Sequence, residues 1–253
     1  MTYCVAACMD AGLVFCSDSR TNAGVDHVST YSKMHRFGFD GDRQFVVLTS
    51  GNLATTQSVV AQLRRDINDN SQRSLRTVPD VNSAADYLGD VNIAQQNRHG
   101  GGVAFSASFI IGGQVRGGIP ELYLVYPEGN HISSSADTSY LQIGESKYGK
   151  PICDRILEPQ TTLETAALCL LVSMDSTMKS NLTVGPPIEV LIYRRDTLVL
   201  QEYHRFGEDS EYLRTLKRSW DGEVKAAFHR LPPLAWSFSW DNKATGNGQG
   251  GTV

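Results

Sequence analysis

From Tyr3 to Ser17 the chain is apolar almost without interruption, and the break falls at Asp10-Ala11-Gly12, a turn-forming trio. Two β-compatible runs around such a trio predict a hairpin. A short strand is expected near Lys33 to Phe39, and Phe45 to Thr49 reads as a buried strand ended by Ser50-Gly51-Asn52. From Asn52 to about Ile67 the apolar residues Leu53, Val59, Val60 and Leu63 recur at helical spacing, with polar residues between them. A second helix is predicted from Val81 to about Gln96, with Asp80 as its N-cap. Strands are expected at Val103 to Ile111 and Glu121 to Tyr126, then a short helix at Gly149 to Arg155 and a longer one at Leu163 to Met178. Strands at Pro187 to Tyr193 and Leu198 to Tyr203, and a closing helix at Asp209 to Phe228, complete the reading. Strand blocks separated by helix pairs predict sheets packed on each other with helices outside. No repeat of 20 to 50 residues and no linker interrupts the pattern, so a single domain over residues 1–240 is expected. The small, polar run 241–253 is expected to be a disordered tail.

Composition narrows the function classes. With 23 Lys+Arg against 27 Asp+Glu the formal net charge is −4, which argues against a nucleic-acid partner, because tracking phosphates calls for a basic excess. No stretch approaches the roughly 18 to 20 uninterrupted apolar residues of a membrane span. Met1-Thr2-Tyr3-Cys4 has neither a basic start nor a continuous apolar run, so no secretory signal is expected. Five cysteines, an odd number, favour reduced thiols and a cytoplasmic protein, in which the sequon Asn181-Leu182-Thr183 is idle.

Three local patterns suggest chemistry and fail on inspection. Gly144-Glu145-Ser146-Lys147-Tyr148-Gly149-Lys150-Pro151 falls short of a phosphate-cradling loop, because Pro151 stands where a magnesium-binding hydroxyl is required. A strand-to-helix turn is the expectation there. His99-Gly100-Gly101-Gly102 resembles an esterase oxyanion loop, but the chain has no G-x-S-x-G nucleophile elbow to go with it. Cys4, Cys8 and Cys16 lack a C-x-x-C pair or a suitably spaced histidine, so they read as small buried hydrophobes rather than metal ligands. Neither a metal nor a cofactor is expected.

The N-terminus carries the sharper pattern. Thr2 follows Met1, and its small side chain suits removal of that methionine. A Thr with a free α-amine supplies both nucleophile and general base. The amine titrates near pH ~7.7 to 8.0, which suits proton abstraction from a hydroxyl. A buried Lys33 beside that hydroxyl would favour the alkoxide, and Asp18 would hold the lysine charged and oriented. On position alone, a second-position Thr is a common accident, and an ordinary Asp18–Lys33 ion pair is the favoured reading.

Thr2-Tyr3-Cys4-Val5, Ser17-Asp18-Ser19-Arg20-Thr21-Asn22-Ala23-Gly24, Lys33 and Thr49-Ser50-Gly51 together resemble the start of proteasome-type β-subunits. Those proteins have an initial Thr, a D-S-R-x-x-x-G run, a strand Lys and a Gly before the first helix. With Val25-Asp26, Gly144 to Pro151 and Ser173-Met174-Asp175-Ser176-Thr177-Met178, the chain is most similar to their bacterial Anbu branch, over residues 1 to about 240. The resemblance implies an α+β fold, the four-layer αββα sandwich of N-terminal-nucleophile hydrolases. It also implies a threonine-type peptidase, with Thr2 as nucleophile and base and Lys33 as the activating charge. Asp18 would orient that lysine, Gly51 would donate its backbone N–H to the oxyanion, and Ser146 and Asp175 would tune the Thr amine. Glu145 and Lys147 depart from the G-S-G element of classical β-subunits, and Ser176 and Ser180 depart from their D-x-x-S-G. Relatives form homo-oligomeric rings or ring-like turns that enclose the nucleophiles, so peptides or unfolded proteins are the implied substrates. No membrane partner is implied, and no unfoldase partner is identified. A small-molecule amidase and a non-catalytic scaffold of the same fold remain as alternatives.

Overall fold

The computed structural model describes residues 2–22, 28–98 and 100–234. Met1, Ala23 to Asp26, His99 and the 241–253 run, all invoked above, lie outside the described residues. The chain divides into two compact units, residues 1–210 and 211–253.

In the first unit, the hairpin of β1 (Tyr3–Met9) and β2 (Gly12–Asp18) forms where the apolar runs predict it. A short ribbon, β3 (Arg20–Asn22) with β4 (Val28–Thr30), precedes β5 (Met34–Phe39) and β6 (Arg43–Gly51). Helices α1 (Leu53–Asn68) and α2 (Val81–Arg98) follow, capped by Asn52, whose side chain accepts from the Thr55 N–H, and by Asp80, which accepts from the Ser83 N–H. Four strands come next: β7 (Ala107–Val115), β8 (Glu121–Val125), β9 (His131–Ser133) and β10 (Tyr140–Gly144). The unit closes with α3 (Lys150–Ile156), α4 (Leu163–Ser180), β11 (Ile188–Arg194) and β12 (Glu202–Phe206).

One five-stranded sheet has the order β10-β1-β2-β11-β12 and the other β5-β6-β7-β8-β9, with every pairing antiparallel. Alternation along the strands sets the layers. Cys4, Ala6, Leu13, Phe15, Met34, Leu48, Ile110 and Leu191 face each other between the sheets in one buried cluster. Phe45, Val47, Phe109 and Ile111 point the other way, into a second cluster with Val59, Val60 and Leu63 of α1 and Leu88 of α2. On the far face of the first sheet, the Tyr3 hydroxyl meets Ser173 of α4. The result is the αββα sandwich.

Two expected strands move. Val103–Phe105 is a single 3-10 turn, and β7 begins only at Ala107, because Gly100, Gly101 and Gly102 all hold positive φ just before it. The last strand starts at Glu202 rather than Leu198, since Asp196 and Leu198 adopt φ of 65° and 49° and Gln114 takes up the Asp196 N–H. The short strands β9 and β10 have no counterpart in the sequence reading. The 144–151 run is a strand-to-helix turn, as expected, with Pro151 in the first turn of α3.

The second unit begins with α5 (Glu211–His229), a nineteen-residue amphipathic helix in which no residue is buried. No helix of the described residues is long and apolar enough to cross a membrane.

Leu48, fully buried between the sheets, tests the packing account. Leu48→Ala should lower the unfolding free energy by about 2–5 kcal/mol, the cost of lost transfer energy plus a cavity. Chemical denaturation of both proteins would show it, and a loss below about 0.5 kcal/mol would contradict the packing.

Candidate active site

The site forms where β1, β2, β5 and the junction of β6 with α1 meet. Asp18, at the end of β2, has a fully buried side chain, and its Oδ1 accepts from Lys33 Nζ at 2.6 Å and from the Tyr3 N–H at 3.0 Å. Its Oδ2 accepts from the Gly185 N–H at 3.4 Å. Burial pushes the Asp18 carboxyl up from its ordinary value, while the Lys33 ammonium and the two N–H groups act against that rise. Lys33 donates its second hydrogen bond to the Arg20 carbonyl at 2.7 Å. The chain therefore enters β1 pinned at its second peptide link. The Thr2 carbonyl of that same peptide link accepts from the Glu145 N–H at 2.7 Å.

Two glycines make the close approaches possible. Gly144, at φ 82°, lies against the Thr2 carbonyl, where any Cβ would collide with that oxygen. Gly51, at φ 111°, sits against Ser106 and Ala107, and its Cβ would run into the Ser106 carbonyl and lie 2.8 Å from the Ala107 Cα. Both conformations favour glycine on steric grounds.

Thr2, Lys33, Gly51 and Gly144 line one cavity of about 830 Å³. Thr2 is half-buried there. A hydroxyl, an ammonium and a positive-φ glycine on one wall are the parts needed to add a nucleophile to a carbonyl and stabilise the oxyanion. Of the six site residues picked from the sequence, these three share the cavity wall, and Asp18 lies behind Lys33. Ser146 and Asp175 are not on that wall. Ser146 is in the turn after β10, donating its N–H to the Gly144 carbonyl, and Asp175 is buried on α4. The Glu145 carboxylate accepts from Asn181 at the end of α4 rather than facing the cavity.

A polar chain behind Thr2 escaped the sequence reading. The Tyr3 hydroxyl shares a 2.6 Å hydrogen bond with Ser173 Oγ and accepts from Gln142 Nε2 at 2.6 Å, and Cys153 Sγ donates to Ser173 Oγ at 3.5 Å. It clamps β1 to β10 and α4. No local motif announces it, since its members lie up to 170 residues apart. The cavity also takes in His35, Arg36 and Arg64. His35 was recoverable, because residues two apart on a strand share a face and Lys33 was already a candidate. All five cysteines are free thiols. Among the described residues no group of three His, Cys, Asp or Glu side chains is placed to hold a metal ion.

Burial and the charge of Arg64 push the His35 imidazole down to about 4. The folded state thus resists a proton that the unfolded chain accepts near pH ~6.5. The associated stability is complete above that pH and is lost as pH falls toward about 4. His35→Gln should flatten the stability–pH curve by close to one proton over that window, read by denaturation at several pH values. Parallel curves for the two proteins would contradict the assignment.

The proteasome-subunit family model matches residues 2–193. Among solved structures, Anbu (ancestral beta-subunit) from Yersinia bercovieri is 45% identical, with a TM-score of 0.89, covering 92% of this chain and 99% of its own. The helical assembly of the Anbu complex from Pseudomonas aeruginosa is 46% identical with a TM-score of 0.89, over 94% and 100% of the two chains. An Anbu (Gly-1) mutant from Hyphomicrobium sp. strain MC1 is 41% identical with a TM-score of 0.88, over 92% and 99%. No curated protein matches. The match over the whole sandwich, with the glycine-framed cavity at its N-terminal strand, leads to one conclusion: the chain belongs to the proteasome-subunit family, as a bacterial Anbu homologue.

Proposed function

We propose that the chain is a threonine-type peptidase whose nucleophile is Thr2 after Met1 is removed. The observation that carries this reading is that Thr2, Lys33 and Gly51 share one cavity wall, while one buried carboxylate, Asp18, holds both Lys33 and the peptide link after Thr2. In the proposed reaction the Thr2 Oγ bonds to the substrate's carbonyl carbon as its proton passes to the Thr2 α-amine. The Lys33 ammonium lowers the cost of charge on that oxygen, and the Gly51 N–H donates to the oxyanion. The amine then returns the proton to the leaving nitrogen, the C–N bond breaks, and an ester on Thr2 remains. Water, deprotonated by the same amine, opens the ester and regenerates the free Thr. Ser146 and Asp175 act in this reading as positioning residues for the amine.

We further propose a cytoplasmic homo-oligomer acting on peptides or unfolded chains. The free thiols are consistent with a reducing compartment. The helical assembly of the Pseudomonas aeruginosa relative favours an open, ring-like turn over a closed ring.

Intact mass of the purified chain, with one aliquot exposed to a peptide epoxyketone, tests the chemistry. The expected mass lacks Met1 and gains one inhibitor, and Thr2→Ala gains none. Peptide turnover should fall by at least about 10³-fold in Thr2→Ala and rise in the parent as pH climbs through ~7.7 to 8.0, where the amine loses its proton. Processed protein that takes no inhibitor and turns over nothing would leave a scaffold.

A further inference from the structure

The cavity extends well beyond the reacting atoms. Along α1 its lining runs from Leu53 to Arg64, about 16 Å of helix rise. On the opposite wall it runs from Lys33 into β5 as far as Arg36. Its charged lining is entirely basic: Lys33, Arg36 and Arg64, with no Asp or Glu among the described lining residues. In a chain with a formal net charge of −4, this is a local reversal of sign. The Lys33 charge is already met by Asp18. Arg64 and Arg36 have no carboxylate partner among the described residues, and Arg36 lies over the Tyr203 ring at 4.0 Å. The remaining lining is uncharged, with polar Thr21, Ser32 and Gln57 beside apolar Met34, Leu53 and Val60. Burial first, and the field of Arg64 second, keep the neighbouring His35 imidazole neutral.

We propose that this end of the cavity binds a carboxylate on the substrate, making Arg64, with His35 and Arg36 beside it, the specificity-determining element for acidic peptides. The proposal rests on Thr2 being the site of cleavage, and adds the substrate class. A guanidinium meets a carboxylate through paired, charge-assisted hydrogen bonds, which are stronger than neutral ones. A neutral imidazole N–H adds a further donor. In an extended peptide the first and third residues from the scissile bond face the same side, about 6.6–6.8 Å apart. Acidic side chains at both positions would therefore sample the cavity at two depths.

The test separates binding from chemistry. Equilibrium affinities of Ac-Glu-Ala-Glu-NH2 and Ac-Gln-Ala-Gln-NH2 are measured on the full chain carrying Thr2→Ala, which cannot turn either over. The glutamate peptide should bind about tenfold or more tighter than its glutamine isostere. Arg64→Ala should close that gap, and Arg64→Glu should reverse it in favour of Ac-Lys-Ala-Lys-NH2. Arg64 is exposed on α1, so both variants should keep the parent's melting behaviour. Equal affinities, a preference for glutamine, or no binding of either peptide overturns the proposal. Tighter binding of the glutamate peptide, together with failure of the wild-type chain to take an epoxyketone, would uphold the acidic pocket and remove the peptidase reading alone.

Discussion

The arrangement at the N-terminal end of β1 depends on one carboxylate with nowhere else to go. Asp18 is fully buried, and three donors converge on it: the Lys33 ammonium, the Tyr3 N–H and the Gly185 N–H. An unpaired charge at such depth is costly, so removing either ionic partner is worth about 3–5 kcal/mol of destabilisation. That penalty binds three segments far apart in sequence to one point. It fixes where the first residues run relative to β2, where Lys33 stands in the cavity, and where the turn before β11 closes. The geometry of the candidate nucleophile is thus secured by the same energy that ties the ends of the central strands of its sheet together.

Backbone shape supplies the second constraint. Gly144 lets the Thr2 carbonyl pass close to β10, and Gly51 lets β6 turn into α1 against Ser106. The Asn52 cap then starts α1 immediately, its side chain receiving the Thr55 N–H and donating to the Ala104 carbonyl. The cavity is the space left between that helix start, β5 and the entry of β1. Its basic lining follows from helix periodicity, since Leu53, Gln57, Val60 and Arg64 fall on one stripe of α1.

Much of this was legible in the sequence, for identifiable reasons. The β1–β2 hairpin, α1, α2 and α4 follow from long apolar runs or clear periodicity with good caps, where local preference and tertiary packing agree. Thr2, Asp18, Lys33 and Gly51 stood out because their residue types match one chemistry and one family pattern. Hidden were features set by contacts between distant segments. β10 is only five residues long and exists because it pairs with β1, Tyr3 to Gly144 and Ala7 to Tyr140. β12 is displaced because Gln114, on the other sheet, captures Asp196. The Tyr3–Ser173–Gln142 chain needs three separate elements to be folded before it is visible. Arg64 carried no signal at all until α1 and β5 were placed as walls of one cavity.

The central claim is that the Asp18–Lys33 pair presents its ammonium to the Thr2 hydroxyl. The most direct measurement is a crystal structure of the chain lacking Met1. The account predicts Thr2 Oγ within about 3 Å of Lys33 Nζ, with the Asp18–Lys33 hydrogen bond intact. A Thr2 hydroxyl turned away from the cavity, or a Lys33 ammonium bound elsewhere and out of reach of it, would contradict the account.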